Sequence, residues 1–400
     1  LIDGIYQQLF LNGSKDFQAL AARENVVVGV YNPVTPAGLF KLNYRMHDKY
    51  VIVDDEMYLL GGRNSNDIFL GDYTTDINVD RDILVWDITK GEGESLQELE
   101  AYFRQIWNED CVQIKGGRKK NSSDISVSEE AADDSEDAES NSKNSNIVNG
   151  IPNVENEITD ETQEKLSKYE KQYQSLEMRY ASLKEKYTDI EDYSSWQEDT
   201  IPANKITLVN NGTHAGPKTP LVLQTIRYLA QNAENVTIQT PYVICNGYMY
   251  DTLNEIASHA QLKIILNAVE KGSNPWGCTD YLNQKKKILN TGADVYELMN
   301  EVPVHTKAVL LDDRLSVVGS YNLDMRSTYL DTELMLVIDS KELNQQIQST
   351  EGTYIEKSKE VLSNGQETEG AQYETKVLNW QKKLFYGVLR IIIRPLRQLL

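Results

Sequence analysis

The feature that most constrains this chain is a pattern written twice. His47-x-Lys49-x4-Asp54-x6-Gly61-x2-Asn64 recurs as His305-x-Lys307-x4-Asp312-x6-Gly319-x2-Asn322, every position displaced by 258 residues. The residues between also correspond in type: Val51 to Val53 with Val309 to Leu311, and Met57 to Leu60 with Leu315 to Val318. Given a His, matching Lys, Asp, Gly and Asn by chance has odds of roughly 10⁻⁵ per copy at average residue usage. The chain must therefore build one strand-turn-strand unit twice.

The unit suggests its own chemistry. His47 and Lys49 are two residues apart, as are His305 and Lys307, so in extended chain each pair projects to one face. Asp54 and Asp312 fall where a strand turns, and Gly61 and Gly319 permit close backbone approach ahead of Asn64 and Asn322. Two imidazoles, two ammonium groups and two carboxamides converging on one point would bind a phosphodiester and stabilise the added charge of its transition state. On this reading no metal and no cofactor is needed. One His, neutral, attacks phosphorus while the other, protonated, supplies a proton to the leaving alcohol. His214 and His259 lack such partners and read as structural.

Around the two units the chain alternates strand and helix, with apolar runs at Val26 to Tyr31, Tyr50 to Val53, Met57 to Leu60 and Ile83 to Val85, then a helix at Gln97 to Trp107. The alternation resumes at Ile206 and runs through Leu334 to Ile338, which argues α/β layers with helices over a sheet. Residues 1–112 are a first domain and 201–360 a second. Between them, 113–160 is rich in Ser, Asn, Asp and Glu and reads as an acidic disordered linker. The 161–200 stretch is an amphipathic helical segment, with Leu166, Tyr169, Tyr173, Leu176, Tyr180, Leu183 and Tyr187 on one seam. That seam offers self-association through residues 166–187, but three heptads are marginal alone and packing on its own domain is the expected outcome.

Charge narrows the function classes. The chain has 40 Lys+Arg against 61 Asp+Glu, a net −21, which disfavours nucleic acid as a partner. Residues 121–200 hold 21 acidic and 7 basic residues, so the acidity is mostly local. Three cysteines without paired spacing give neither a disulfide framework nor a zinc signature. Against the acidic background, 372–400 is a basic, apolar C-terminal helix, free of acids from Trp380 onward, that suits an anionic membrane surface.

With these residues in view, the chain resembles the phospholipase D superfamily, whose members carry the duplicated His-x-Lys-x4-Asp pattern. The closer resemblance is to bacterial cardiolipin synthases, through Tyr44-Arg45-Met46-His47-Asp48-Lys49 with Gly61-Gly62-Arg63-Asn64, and through Gly319-Ser320-Tyr321-Asn322-Leu323-Asp324-Met325-Arg326-Ser327. The resemblance implies two phospholipase D-like α/β/α sandwich domains related by a pseudo-twofold axis, with the site in the cleft between them. It implies a covalent phosphohistidine on one motif His with the other as acid and then base, supported by Lys49, Asp54, Asn64, Lys307, Asp312 and Asn322; the motifs fit either assignment, and we take His47 as nucleophile and His305 as acid/base. Gly61, Gly62, Arg63, Gly319 and Ser320 would contact substrate. The family places a carboxylate eleven residues after the second Asn, which is Glu333, and parallel strand starts suggest Asp82 as its first-domain counterpart. Gly62 stands where Ser is common and Asp331 where Asn is frequent.

The implied activity is phosphatidyl transfer between phospholipids at the bacterial cytoplasmic membrane, from a phosphatidylglycerol-like donor. The protein would be peripheral or anchored through an N-terminal segment, since the opening strand and helix of the first domain are absent and Leu1 is not Met. A phospholipase D releasing phosphatidic acid would use the same residues with water as acceptor. A phospholipase D-type nuclease is disfavoured by charge, and a non-catalytic membrane scaffold by two intact motifs.

Overall fold

The computed structural model, which describes residues 1–71, 74–89, 91–115, 160–188, 192 and 194–397, folds each copy of the repeated unit as an antiparallel hairpin inside an α/β lobe. Lobe one contains β1 (Ile2–Asp3), α1 (Lys15–Ala21), β2 (Val28–Tyr31), β3 (Tyr50–Val53), β4 (Met57–Gly61), β5 (Asp82–Trp86), α2 (Glu94–Trp107) and β6 (Val112–Lys115). Helix α3 (Asp160–Lys186) follows. Lobe two contains β7 (Lys205–Asn210), α4 (Leu221–Ala230), β8 (Asn235–Gln239), α5 (Gly247–Ala257), β9 (Gln261–Asn267), α6 (Pro275–Leu289), β10 (Asp294–Leu298), β11 (Ala308–Leu311), β12 (Leu315–Gly319), β13 (Leu334–Asp339), α7 (Lys341–Glu356), β14 (Ser358–Val361) and β15 (Glu367–Glu369), and ends in α8 (Trp380–Leu396).

Lobe two is built on a nine-stranded sheet in the order β15-β14-β10-β9-β8-β11-β12-β13-β7. Lobe one repeats pieces of it. Its β3-β4-β5 ladder matches β11-β12-β13, and its β1-β2-β6 ladder matches β9-β10-β14, parallel then antiparallel. In the large sheet β8 joins those two pieces by pairing with both β9 and β11. Among the described residues no strand does this in lobe one, so its sheet is divided in two.

Period-2 alternation along β13 explains how the lobes are held together. Met335 and Val337 point into the lobe-two core, with Val222 and Ile226 of α4, Leu253 and Ile256 of α5, and the hairpin residues Val309, Leu311 and Val317. Leu334, Leu336 and Ile338 point the other way, into a core completed by Tyr31, Tyr58, Leu60, Leu99 and Tyr102 of lobe one. One strand thus serves both cores. Among the described residues the outer face of the lobe-one hairpin has no such cover. Val51 is 56% and Leu59 40% exposed, whereas their counterparts Val309 and Val317 are 3% and 1% exposed.

The boundaries differ from expectation in two places. The strand Val112–Lys115 runs past residue 113, where the linker was expected to begin, because Val112 and Ile114 pack against the shared lobe-one core. Residues 116–159, the rest of that segment, lie outside the described residues. Helix α3 packs on lobe one: Tyr169 donates to Gln18 at 2.6 Å, Arg23 stacks 3.9 Å from the Tyr173 ring, and Arg179 pairs with Asp16 at 3.0 Å. β14 and β15 extend lobe two beyond 360.

Candidate active site

Each motif His lies just before the first strand of its hairpin, in extended chain. The motif Gly ends the second strand and binds back to the motif Lys: Gly61 N donates to Lys49 O at 3.1 Å, and Gly319 N to Lys307 O at 3.4 Å. A side chain cannot fit at either glycine. A Cβ on Gly61 would come within 2.1 Å of the Asp82 carboxylate, and one on Gly319 within 2.1 Å of Leu334 O. Both lysines turn back on their own motif. Lys49 Nζ donates to His47 O, and Lys307 Nζ donates to His305 O while lying 3.1 Å from His305 Nε2.

The imidazoles reach across the lobes for their carboxylates. His47 Nδ1 lies 2.9 Å from Glu333 Oε1, and His305 Nδ1 lies 2.7 Å from Asp80 Oδ2. Both carboxylates are fully buried. The backbone around them repeats as well: Thr332 N donates to Arg45 O, and Val79 N to Pro303 O, each at 2.9 Å. The same cross-lobe contact is therefore made twice, with the roles of the lobes exchanged. With Nδ1 of each ring at its carboxylate, Nε2 of His305 lies 3.1 Å from Lys307 Nζ, which is nearer still to Nδ1 at 2.5 Å.

Asp80, not Asp82, is the partner of His305. Asp82 instead binds Arg63 (Nε to Oδ2, 2.7 Å), whose other nitrogens donate to Phe69 O and Asp80 O. Arg63 therefore clamps the loop that carries Asp80. The cross-strand register explains the miss: Gly61 pairs with Asp82 and Gly319 with Met335, so the carboxylate in each lobe lies two residues before the partner of the motif Gly. The strand starts mislead because β13 begins directly after Glu333, whereas β5 begins at Asp82 itself, two residues past Asp80. The register would have found Asp80.

The turn aspartates are not brought to this cluster. Asp54 and Asp312 have φ of 50° and 51° at the far ends of β3 and β11, five residues or roughly 17 Å beyond the motif lysines. Asp312 accepts from the backbone N–H groups of Glu234 and Asn235 there. Asp and Asn tolerate this left-handed turn better than most side chains, which is a structural reason for the motif's carboxylate. Ser320 also differs from expectation, because its hydroxyl donates to Glu333 instead of facing the cleft. At the corresponding Gly62 a Cβ would meet Asp80 at 2.4 Å. The shorter Asp draws the backbone in, and only Gly fits.

His47, Lys49, Asn64 and Asn322 line one cleft of about 910 Å³, together with Gly61, Arg63 and Asp82. His305 lies beyond Tyr242, whose hydroxyl accepts from Asn322 Nδ2 at 3.3 Å. Tyr242 carried no repeat signal in the sequence. Burial is the main reason that both imidazoles stay neutral, His305 at about 3 and His47 well below the usual range, with Lys307 and Lys49 pushing the same way. Each lysine acts on the other lobe's His too, so the motifs share one electrostatic site. Burial raises Asp80, but Lys307 and the hydrogen bond with His305 hold it below its ordinary value. Burial carries Glu333 up to about 7 against the pull of Lys49 and Ser320. An anion bound within about 4–6 Å would raise the imidazoles again.

Residues 225–350 match the family model for the cardiolipin synthase PLD-like domain. Cardiolipin synthase A of Escherichia coli O157:H7 (strain EC4115 / EHEC) is 31% identical over 153 residues, 36% of this chain and 30% of that protein. Cardiolipin synthase A of Buchnera aphidicola subsp. Schizaphis graminum (strain Sg) is 27% identical over 169 residues, 41% of this chain and 32% of that protein. The match thus spans about a third of the length of these relatives. Among solved structures, phosphatidylserine synthase of Haemophilus influenzae Rd KW20 aligns over 89% of this chain and 71% of its own, at a TM-score of 0.46 and 14% identity. A phospholipase D family member from Salmonella typhimurium covers 42% of this chain and 99% of its own, at a TM-score of 0.33 and 12% identity.

Proposed function

We propose that this chain, which carries a phospholipase D-like domain, is a phosphatidyltransferase of the cardiolipin synthase type, working through a covalent phosphohistidine. The observation that carries this reading is the pair of imidazoles, each backed by a buried carboxylate from the opposite lobe. His47 Nε2 attacks the phosphorus of a phospholipid. The P–N bond forms as the P–O bond to the headgroup breaks, and His305 gives its Nε2 proton to the departing alkoxide. In the second half, an incoming alcohol gives its proton to His305 as its oxygen displaces His47 from phosphorus. Lys49, Lys307, Asn64 and Asn322 hold the non-bridging oxygens, where charge accumulates. Glu333 and Asp80 fix the tautomer of each ring and support its charged form.

Assignment of His47 as nucleophile rests on its place in the large cleft, where the bulky phosphatidyl group has room. The substrate surface is a phospholipid bilayer, approached through α8. The exposed residues Trp380, Leu384, Phe385, Val388, Ile391 and Ile392 share that helix with Lys382, Lys383 and Arg394. No described helix is long and apolar enough to cross a membrane, and α8 fits peripheral contact with an anionic leaflet.

The deciding experiment is mass spectrometry of products from phosphatidylglycerol vesicles, with His47→Ala and His305→Ala alongside. Cardiolipin lost in both variants is the expected result. Phosphatidic acid alone would make the enzyme a hydrolase, and a product insensitive to both substitutions would sink the two-histidine mechanism.

A further inference from the structure

The repeat makes each residue of one lobe comparable with its counterpart in the other, and beside the site the two lobes disagree in kind at one position. Across the ladders Gly61 pairs with Asp82 and Gly319 with Met335, so Arg81 corresponds to Leu334. Their backbones do the same thing: Gly62 N donates to Arg81 O at 3.1 Å, and Ser320 N to Leu334 O at 2.9 Å. Leu334 is fully buried in the core that the lobes share. Arg81 instead carries a guanidinium across the lobe boundary, where Nη1 donates at 3.3 Å to Oε1 of Gln239, at the end of β8. Glu351 and Tyr354 of α7 are the ionisable groups that face it from lobe two, with Asp80 beside it in lobe one.

This cluster costs stability. Gln239 and Glu351 are buried, and among the described residues Gln239 Nε2 and Glu351 Oε1 have no hydrogen-bond partner. Burial carries Glu351 up to about 8 against the pull of Arg81. Polar groups taken out of water without partners are destabilising. Leu334 shows that the fold accepts an apolar residue at this place in the ladder, so packing alone does not explain Arg81. The neighbouring carboxylates do. In lobe two Ser320 Oγ donates to Glu333 Oε2, which leaves Oε1 on His47. Residue 62 of lobe one is Gly and offers no hydroxyl. The second oxygen of Asp80 is held by the backbone of Arg81, whose N–H donates to Oδ1 at 2.8 Å and leaves Oδ2 on His305 at 2.7 Å. A backbone N–H can aim a carboxylate only where the backbone is itself fixed, and the Arg81 side chain fixes it to the lobe that carries His305.

We propose that Arg81 is a positioning residue for His305: its guanidinium, seated on Gln239 and facing Glu351, fixes the peptide that aims Asp80 at the imidazole, in place of the hydroxyl that serves Glu333. The inference rests on the phosphatidyl-transfer reading above and deepens it.

The test replaces both charged partners. Arg81→Leu alone leaves Glu351 facing no cation and endangers the fold. Arg81→Leu with Glu351→Leu gives lobe one the residue that lobe two already has, and exchanging a buried ionic pair for apolar contact is often neutral or stabilising. Gln239→Met is a second, milder variant, which removes the acceptor and leaves both ionisable groups in place. Histidine-dependent transfer from phosphatidylglycerol vesicles is followed against pH. In the paired variant kcat is expected to fall by about 10- to 10²-fold, the effect of a small misplacement. The limb at which activity is lost as His305 deprotonates is expected to move down by about one pH unit, with a smaller shift of the same sign in Gln239→Met. Removing a cation would by itself raise His305 and move that limb up, so a downward shift reports the contact with Asp80. Added to Asp80→Asn, the paired substitution is expected to change kcat by about twofold or less, because that contact is already lost. The Nδ1 proton of His305, identified by its absence in His305→Ala, gives an NMR readout independent of turnover, and its resonance is expected to move upfield in both variants as the bond to Asp80 weakens. A parental pH limb and Nδ1 resonance in both variants, or losses that multiply with Asp80→Asn, would overturn the positioning role. Absence of any histidine-dependent product from the parent would overturn phosphatidyl transfer instead, and the Nδ1 resonance would still decide whether Arg81 positions Asp80.

Discussion

Asp80 and Asp82 sit two residues apart at the entrance to one strand, yet one holds His305 and the other holds an arginine. Asp80→Asn is therefore expected to cost about 10²–10⁴ in kcat, the usual worth of a general acid–base, while Asp82→Asn acts only through the Arg63 clamp and costs far less. The pH profile carries a sign. Asp80 raises His305 and Lys307 lowers it. Loss of activity as the acid deprotonates should thus move to lower pH in Asp80→Asn and to higher pH in Lys307→Met; shifts in the same direction would refute the pairing. Glu333 gives a stability test. Its folded value of about 7 lies above the ordinary 4.5, so the folded state binds the extra proton, and stability present below pH 4.5 is lost as pH rises through 7. Glu333→Gln, permanently neutral, should be inactive yet more stable than the parent at pH 8 by up to about 3 kcal/mol, with the gain vanishing near pH 4 in urea titrations.

The two hairpins provide an internal control, because the same sequence pattern meets different surroundings. Val309→Ala opens a hole beneath α4 and α5 and should cost about 2 kcal/mol. Val51→Ala, on the uncovered face of lobe one, should stay within about 0.5 kcal/mol; equal losses in urea unfolding would mean that Val51 is covered. Helix α8 is fastened rather than merely laid down. Tyr386, Leu389 and Ile393 are buried, and Arg397 pairs at 2.6 Å with Asp280, whose side chain is fully buried. Arg397→Ala strands that carboxylate and should cost about 3–5 kcal/mol. With the helix docked, Ile391→Asp should weaken sedimentation with anionic vesicles while leaving the melting temperature in place. Unaltered vesicle binding would remove α8 from the membrane contact.

At the scale of the whole molecule, lobe two supplies Leu334, Leu336 and Ile338 to a core otherwise made by lobe one, and each lobe lends the other the carboxylate that meets its motif His. Unfolding should therefore follow one cooperative transition in which far-UV and near-UV probes coincide; two resolved transitions would mean that the shared core contributes little. The repeat made the hairpins, the two histidines with their lysines, and the α/β class legible in the sequence, because strand period and motif spacing are local properties of the chain. Glu333 came from the family resemblance, which places a carboxylate eleven residues after the second motif Asn. Asp80 and the place of Tyr242 against Asn322 were not. Each depends on which residue lies opposite which across a ladder or a lobe boundary, and such pairing is decided by register and packing between segments far apart in sequence. The motif aspartates show the converse: Asp54 and Asp312 repeat as faithfully as the histidines, and only the folded chain shows that they shape turns away from the site.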